Sequence, residues 1–277
     1  MLAKSLRLFG AVAIALFTAS CTTTTNHTPD AKAGVRVERT DKEFDIASGV
    51  TRIAIDNPWG EINVRGRDER EVGIHAVIQR MPPGFPRVEF KSRREGDTLR
   101  IEVIVAGATA NAEARAAPPA RADLAVYVPG NLALALATQG GRIAATRRAG
   151  SIEARTESGE IHASSLGRLD LKSNSGQIRA IAIGKSWQGT SELVTNSGRI
   201  VLLVPTFGDV ALEAKTGGKL STGFGLSVHS LANGGHEAHA RYGAGTSSLH
   251  VESATGEIVL EQLVLLGDDK GLPEDDD

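Results

Sequence analysis

The chain has 277 residues, with 31 Lys and Arg against 33 Asp and Glu and a formal net charge of −2. That balance excludes the broad basic field on which a nucleic-acid-binding surface depends. Aromatic residues make up only 4% while glycine occurs 31 times, above the roughly 7% of an average chain, so a core has to be thin and built from Ile, Leu, Val and Ala.

Residues 1–20 have the three parts of an export signal: a positive start at Lys4 and Arg7, an apolar run over 8–17, and the small residues Thr18, Ala19 and Ser20. The apolar run is shorter than the roughly 20 residues that span a bilayer, so a removable signal peptide is expected rather than a transmembrane helix. Cys21 is the single cysteine and has no disulfide partner. Phe17-Thr18-Ala19-Ser20-Cys21 resembles a bacterial lipobox, with Thr18 where that pattern prefers Leu. The resemblance implies a diacylglyceryl thioether on Cys21, and with it attachment to a membrane through the N-terminus. Residue 22 is Thr and not Asp, which by resemblance to lipoprotein sorting in Gram-negative cells implies the outer membrane. Residues 21–34 then read as the lipidated cysteine and a polar tether, reaching roughly 40 Å if extended at ~3.1 Å per residue.

Residues 35–265 read as one β-repeat domain. Its front part carries longer strands near 52–55, 61–64, 72–78 and 99–105, an Ala/Pro-rich excursion over 106–122, and a further strand at 124–129. From about residue 138 a turn ending in glycine, then a polar and an aliphatic residue, recurs. Strong copies are Gly141-Arg142-Ile143, Gly159-Glu160-Ile161, Gly176-Gln177-Ile178, Gly198-Arg199-Ile200 and Gly256-Glu257-Ile258, with Gly218-Lys219-Leu220 a weaker one. Small polar residues precede each glycine, which is therefore expected at a left-handed turn position with φ > 0. Secondary copies at Gly150, Gly167 and Gly208 fall between them, so a major motif recurs about every 20 residues, the mark of a solenoid or array.

Between turns the pattern alternates, as in Ile152-Glu153-Ala154-Arg155 and Leu169-Asp170-Leu171-Lys172, which predicts strands with one buried face. Two all-β architectures fit: a solenoid-like domain with two short strands per coil of ~20 residues, or an antiparallel meander of hairpins. The alternation of strong and weak turn motifs favours the coil. The longer strands over 44–105 are expected to cap one end, and residues 259–265 the other.

The succession Ile55-Asp56-Asn57-Pro58-Trp59-Gly60-Glu61-Ile62-Asn63-Val64, then Tyr127-Val128-Pro129-Gly130, then a ladder of Ser-Gly-x-Ile turns, resembles the bacterial "putative adhesin" family. This is a β-strand-repeat domain family of unknown function found in exported and membrane-attached proteins. The resemblance covers about residues 44–263 and implies a β-solenoid-like fold. Its motifs are structural punctuation, so they bear on fold and not on activity.

No catalytic, cofactor or metal constellation emerges. His236-Glu237-Ala238-His239 lacks the helical H-E-x-x-H spacing, and on a strand its two histidines point to opposite faces; His229 and His250 lie nearby. The turns lack the recurrent Asp of calcium-binding repeats, and Gly225-Leu226-Ser227-Val228-His229 lacks the last glycine of a nucleophile elbow. Glu160, Asp170, Asp209 and Glu257 are spread along the repeat, whereas a glycoside hydrolase needs converging acids. Trp59 and Trp187 are candidate carbohydrate platforms, Trp187 because residues 184–189 interrupt the repeat, although either tryptophan also suits the edge of a core. Residues 266–277, with Asp268, Asp269, Glu274 and Asp275 to Asp277 against Lys270, read as an acidic, solvating tail. The expected protein is a non-catalytic cell-envelope lipoprotein with a binding or adhesion-like β module, without cofactor or nucleic-acid partner. An envelope protein or a glycan is its expected partner. A passive envelope scaffold, or a β-helix enzyme acting on an envelope polysaccharide, is the alternative.

Overall fold

The computed structural model describes residues 26–27, 34–82, 84–107, 118–205, 208–232 and 234–263. The signal segment, Cys21, most of the tether, most of the Ala/Pro-rich excursion and the acidic tail lie outside the described residues.

Every regular element among the described residues is a strand. The front strands are β1 (Asn26–His27), β2 (Arg36–Asp45), β3 (Arg52–Asp56), β4 (Ile62–Arg67), β5 (Glu71–Arg80), β6 (Val88–Glu95), β7 (Thr98–Val105) and β8 (Ala120–Pro129). The middle strands are β9 (Ala133–Thr138), β10 (Ile143–Arg148), β11 (Ile152–Thr156), β12 (Ile161–Ser165), β13 (Leu169–Ser173), β14 (Ile178–Ala182), β15 (Thr190–Thr195) and β16 (Ile200–Pro205). Last come β17 (Val210–Thr216), β18 (Leu220–Thr222), β19 (Val228–Ser230), β20 (His236–Tyr242), β21 (Ser247–Ser253) and β22 (Ile258–Leu263). They form two 11-stranded sheets: sheet A, in the order β1-β2-β5-β8-β4-β10-β12-β14-β16-β22-β18, and sheet B, β19-β20-β17-β21-β15-β13-β11-β9-β3-β7-β6.

Each coil contributes one strand to each sheet, and neighbouring coils pair in parallel, as β10 with β12 and β11 with β13. The two-strand coil is thus the architecture, and the meander is excluded for the repeat. Strong turn motifs lead into sheet A and weak ones into sheet B. Parallel pairing puts equivalent residues in columns: Ile62, Ile143, Ile161, Ile178, Ile200 and Ile258 stack across sheet A, all fully buried. Burying each such side chain contributes about 1.5–3 kcal/mol. Repetition of one aliphatic column supplies the core that scarce aromatics cannot.

The six major-turn glycines do not have the expected backbone. None of Gly141, Gly159, Gly176, Gly198, Gly218 and Gly256 has positive φ. What they lack room for is a side chain. A Cβ on Gly141 would stand 1.6 Å from the carbonyl oxygen of Gly60; on Gly159, 1.8 Å from that of Gly141; on Gly176, 1.9 Å from that of Gly159. Gly198 and Gly256 repeat the approach at 2.0 Å, on Gly176 and Gly198. The glycines therefore stack directly on one another from coil to coil. Beside them runs a column of buried hydroxyls: Thr138, Thr156, Ser173, Thr195 and Ser253 accept the N–H of the glycine three residues later. Thr138 and Ser253 also donate to the glycine carbonyl of an adjacent coil.

The ends depart from chain order. The β3–β4 coil lies between β7–β8 and β9–β10, and the β21–β22 coil lies between β15–β16 and β17–β18. Of the expected cap over 259–265, the described part, which lies in β22, does not cap the domain, since β22 is flanked on both sides. One end is closed by antiparallel β2 and β5 on sheet A and β6 on sheet B. At the other end β20 and β19 close sheet B, while Phe224 and Leu226 pack against the core. The open edges are guarded by charge on β6 (Lys91, Arg93, Arg94) and by shortness at β18 and β19, two means of discouraging strand addition.

Candidate binding face

Because the inner faces are filled, function falls to the outward side chains. On sheet B, Glu153, Asp170, Glu192, His250, Glu213 and His239 form one transverse row across six adjacent strands. Long cations tie this row together: Arg155 reaches Glu153 at 2.8 Å, Lys172 reaches Glu192 at 2.8 Å and Asp170 at 3.3 Å, and Arg52 pairs with Glu153 over the small Ala135. His250 Nε2 lies 3.3 Å from Glu252. His239 faces Glu213 on the outer surface, while His236, on the opposite side of β20, donates from Nδ1 to the Gly218 carbonyl at 2.8 Å. Among the described residues no three His, Cys, Asp or Glu side chains are grouped to hold a metal ion.

The acids singled out in the sequence do not converge. Glu160 lies 3.8 Å from Arg142 and Glu257 3.1 Å from Arg199 at the sheet A turns, whereas Asp170 is on sheet B and Asp209 accepts the Ala244 N–H at 2.7 Å. Neither tryptophan forms an open platform. Trp59 is only 6% exposed and belongs to the core. Trp187 packs against the core; its backbone N–H donates to Ser247 Oγ at 2.8 Å and its indole N–H to the Ser248 carbonyl at 3.3 Å. The 184–189 excursion thus braces the start of the inserted β21.

A furrow on the front of sheet A is the feature the sequence did not announce. There β5 runs antiparallel to β2 and β8, and β8 is parallel to β4. This registers Asp41, His75, Ala125 and Asn63 in one outward row and Glu43, Gly73, Tyr127 and Arg65 in the next. Gly73 and Ala125 leave the floor low. A Cβ on Gly73 would meet Arg67 Nη1 at 2.8 Å and Tyr127 Cβ at 3.7 Å, so the missing side chain is what lets the guanidinium lie against the sheet. Above that floor His75 and Tyr127 stand edge to face, 5.4 Å between centroids at 82°, a favourable arrangement for two rings.

The polar groups around the rings are held in place. Asp41 Oδ1 lies 2.5 Å from His75 Nδ1, which fixes the imidazole although its side chain is 62% exposed. Arg121 spans Asp123 at 2.8 Å and Glu61 at 3.4 Å. Arg67 is clamped by Glu69 at 2.9 Å and Glu71 at 2.6 Å; the hydrogen bond to Glu69 raises the pKa of Arg67, and the same bond lowers that of Glu69. A groove of 520 Å³ lies on the β4 and β8 side of His75, and one of 330 Å³ on the Tyr127 side. Asp41 and His75 line both, so the two grooves lie on either side of one imidazole, and together they are the furrow. Sheet B has grooves of 460 and 500 Å³, walled by its ion pairs and without an aromatic ring pair.

No family model matches the sequence. No curated protein matches it either. Three solved bacterial structures are similar to this chain. A putative cell adhesion protein from Clostridium sporogenes gives a TM-score of 0.47 at 12% identity, over 82% of this chain and 100% of that one. A putative adhesin from Bacteroides fragilis gives 0.30 at 9% identity, over 81% and 97%. A putative adhesin from Parabacteroides distasonis gives 0.18 at 8% identity, again over 81% and 97%. At such scores and identities nothing about function transfers to this chain. Among the described residues no helix is long and apolar enough to cross a membrane.

Proposed function

We propose that the protein is a non-catalytic binding module of the bacterial cell envelope, tethered by a lipid on Cys21 and presenting the front furrow of sheet A to a partner. The observation that carries this reading is the contrast between the outer faces. On sheet B the outward row from Glu153 through Asp170 to Glu192 is tied up with Arg52, Arg155 and Lys172, whereas the furrow keeps an oriented aromatic pair open above a floor of Gly73 and Ala125. Open aromatic surface beside fixed polar groups suits recognition. Glu160, Asp170, Asp209 and Glu257 lie apart, and Asp41, Glu61 and Asp123 in the furrow are held by His75 and Arg121, whereas hydrolysis needs two acids free to act on one bond.

The anchor supplies location. Acyl burial contributes ~0.8 kcal/mol per CH₂, and stable attachment takes more than one chain, which a diacylglyceryl group provides. By the sorting pattern at Thr22 the membrane is the outer one in a Gram-negative host. Two measurements test the proposal in intact cells. Cys21→Ser is expected to shift the protein from the membrane fraction to a soluble or uncleaved form, and unchanged fractionation would remove the anchor. A photo-crosslinking residue at Val77, which lines the furrow, is expected to give a discrete adduct that the same residue at Ala137 on sheet B does not. Absence of any adduct at Val77 would favour a passive spacer.

A further inference from the structure

We infer that the furrow binds an uncharged linear glycan, with His75 and Tyr127 gripping a sugar ring between its two grooves. This rests on the binding-module reading and names the ligand class for the same site.

Shape comes first. The two grooves, 520 and 330 Å³, each fall in the range of small-ligand sites. They follow one another along β5, one lined by Gly73 to His75 and the other by His75 to Val77, a succession that suits a chain of similar units better than a single compact molecule.

Chemistry narrows the class. A sugar ring presents C–H groups on its faces and hydroxyls around its rim, so it needs an aromatic surface flanked by groups that both donate and accept. The rings of His75 and Tyr127 provide the first, and Asn63, Asp41, Asp123 and Glu61 the second. The three carboxylates are already engaged by His75 and Arg121. An engaged carboxylate retains lone pairs for a hydroxyl, and the lining sets Asp41, Glu43, Glu61, Glu69 and Asp123 against Arg39, Lys42 and Arg67, an acidic excess that disfavours a polyanion. A nucleic acid or polyphosphate would call for unbalanced cations. A peptide strand would call for an open sheet edge, because strand addition relies on main-chain hydrogen bonds. The backbone under the furrow is committed on both sides, β5 to β2 and β8, and β8 to β5 and β4. Recognition there falls to side chains alone.

The test uses the full-length lipidated protein in detergent and neutral hexasaccharides as probes: the β-1,4-linked N-acetylglucosamine, glucose and xylose series and the α-1,4-linked glucose series. Titration calorimetry is expected to show binding to at least one of them, with an affinity that added salt leaves unchanged. Tyr127→Ala and His75→Ala are each expected to weaken it about tenfold or more, Tyr127→Phe within about threefold of the parent, and Lys215→Ala on sheet B not at all. Since Tyr127 is half-buried, the exposed His75 provides the variant least prone to disturb folding, and circular dichroism of each variant verifies the fold. Three results would overturn the inference: no neutral glycan binds, only charged polymers bind and salt releases them, or both alanine variants bind as the parent does. If Val77 nevertheless crosslinks to a protein in cells, the binding module stands and the glycan falls. Loss of both would remove the furrow from the function altogether.

Discussion

Single residues in this protein are constrained mainly by the coil above and the coil below. At Gly176 the limit is the Gly159 carbonyl, 1.9 Å from where a Cβ would stand, so even alanine forces the coils apart. Gly176→Ala is expected to cost about 1–3 kcal/mol in urea unfolding, as overpacking does, and Gly176→Val no less. Glu153→Ala, which removes only partly exposed ion pairs, is expected to cost at most about 1 kcal/mol. Equal losses for Gly176→Ala and Glu153→Ala would contradict the stacked-glycine account. His162 gives a pH signature. Burial, helped by Arg142 and Arg179, holds its pKa below the ordinary 6.5. The neutral ring is thus favoured in the folded state, and its contribution is full above pH 6.5 and lost as pH falls below that value. Thermal unfolding between pH 8 and pH 5 is expected to show a smaller acid loss for His162→Gln than for the parent. An identical slope would show that His162 is not the group responsible.

Strands here act as ladders, and the places where a ladder slips reveal what holds the corners. The β10–β12 register shifts between Ala145 and Arg148, where Arg147 takes a φ of 57°. The bulge turns the next side chain inward, leaving Arg148 only 1% exposed. Its guanidinium donates to the carbonyls of Val128 and Pro129 at the end of β8, bridging past β4. Burial pushes its pKa down to about 10, so the charge persists at neutral pH. Removing Arg148 would take a donor from both carbonyls and leave that of Pro129 with only the Leu132 N–H at 3.4 Å, a loss of about 1–3 kcal/mol offset in part by relief of a desolvated charge. Arg148→Leu is therefore expected to destabilise by about 1 kcal/mol or more net, measured by denaturant unfolding. Arg148→Lys should recover little, because one ammonium lacks the guanidinium's fork. A neutral result for Arg148→Leu would mean that the corner is held by the backbone bonds of Ala149 and Gly150 to Gly130.

At the scale of the whole molecule, the first and last coils are threaded into the interior, while β2, β5 and β6 close one end and β19 and β20 close sheet B at the other. In an ordinary solenoid each repeat contacts its sequence neighbours, and trimming the last one shortens the array with modest loss. Ending this chain after residue 246 would instead remove β21 and β22, which separate β15 from β17 and β16 from β18. Four strands would lose a partner at once. We expect the truncated protein to lose its single cooperative thermal transition and to be cut rapidly by protease between β16 and β20. A truncated form that melts as one sharp unit would show that β17–β18 can close directly onto β15–β16.

The all-β repeat was legible in the sequence. Its period near 20, its alternating strands and its glycine turns are local patterns, and reading several copies favoured two strands per coil. Only the parallel pairing of neighbouring coils excluded the meander. At Gly141, Gly159, Gly176, Gly198, Gly218 and Gly256 the sequence predicted positive φ, where the structure has close approach to a neighbouring coil instead. A left-handed turn and a close approach both demand glycine, and only the stacked coils tell them apart. Coil order belonged to the tertiary structure. Columns such as Ile200, Ile258 and Leu220 are chemically interchangeable, so neighbours are chosen by where the connecting hairpins reach and how the ends close. The furrow followed from that choice. Asp41, Asn63, His75 and Tyr127 come from four strands spread over nearly ninety positions, with no spacing to link them, and the pairing of β5 between β2 and β8 is what sets their side chains on one surface.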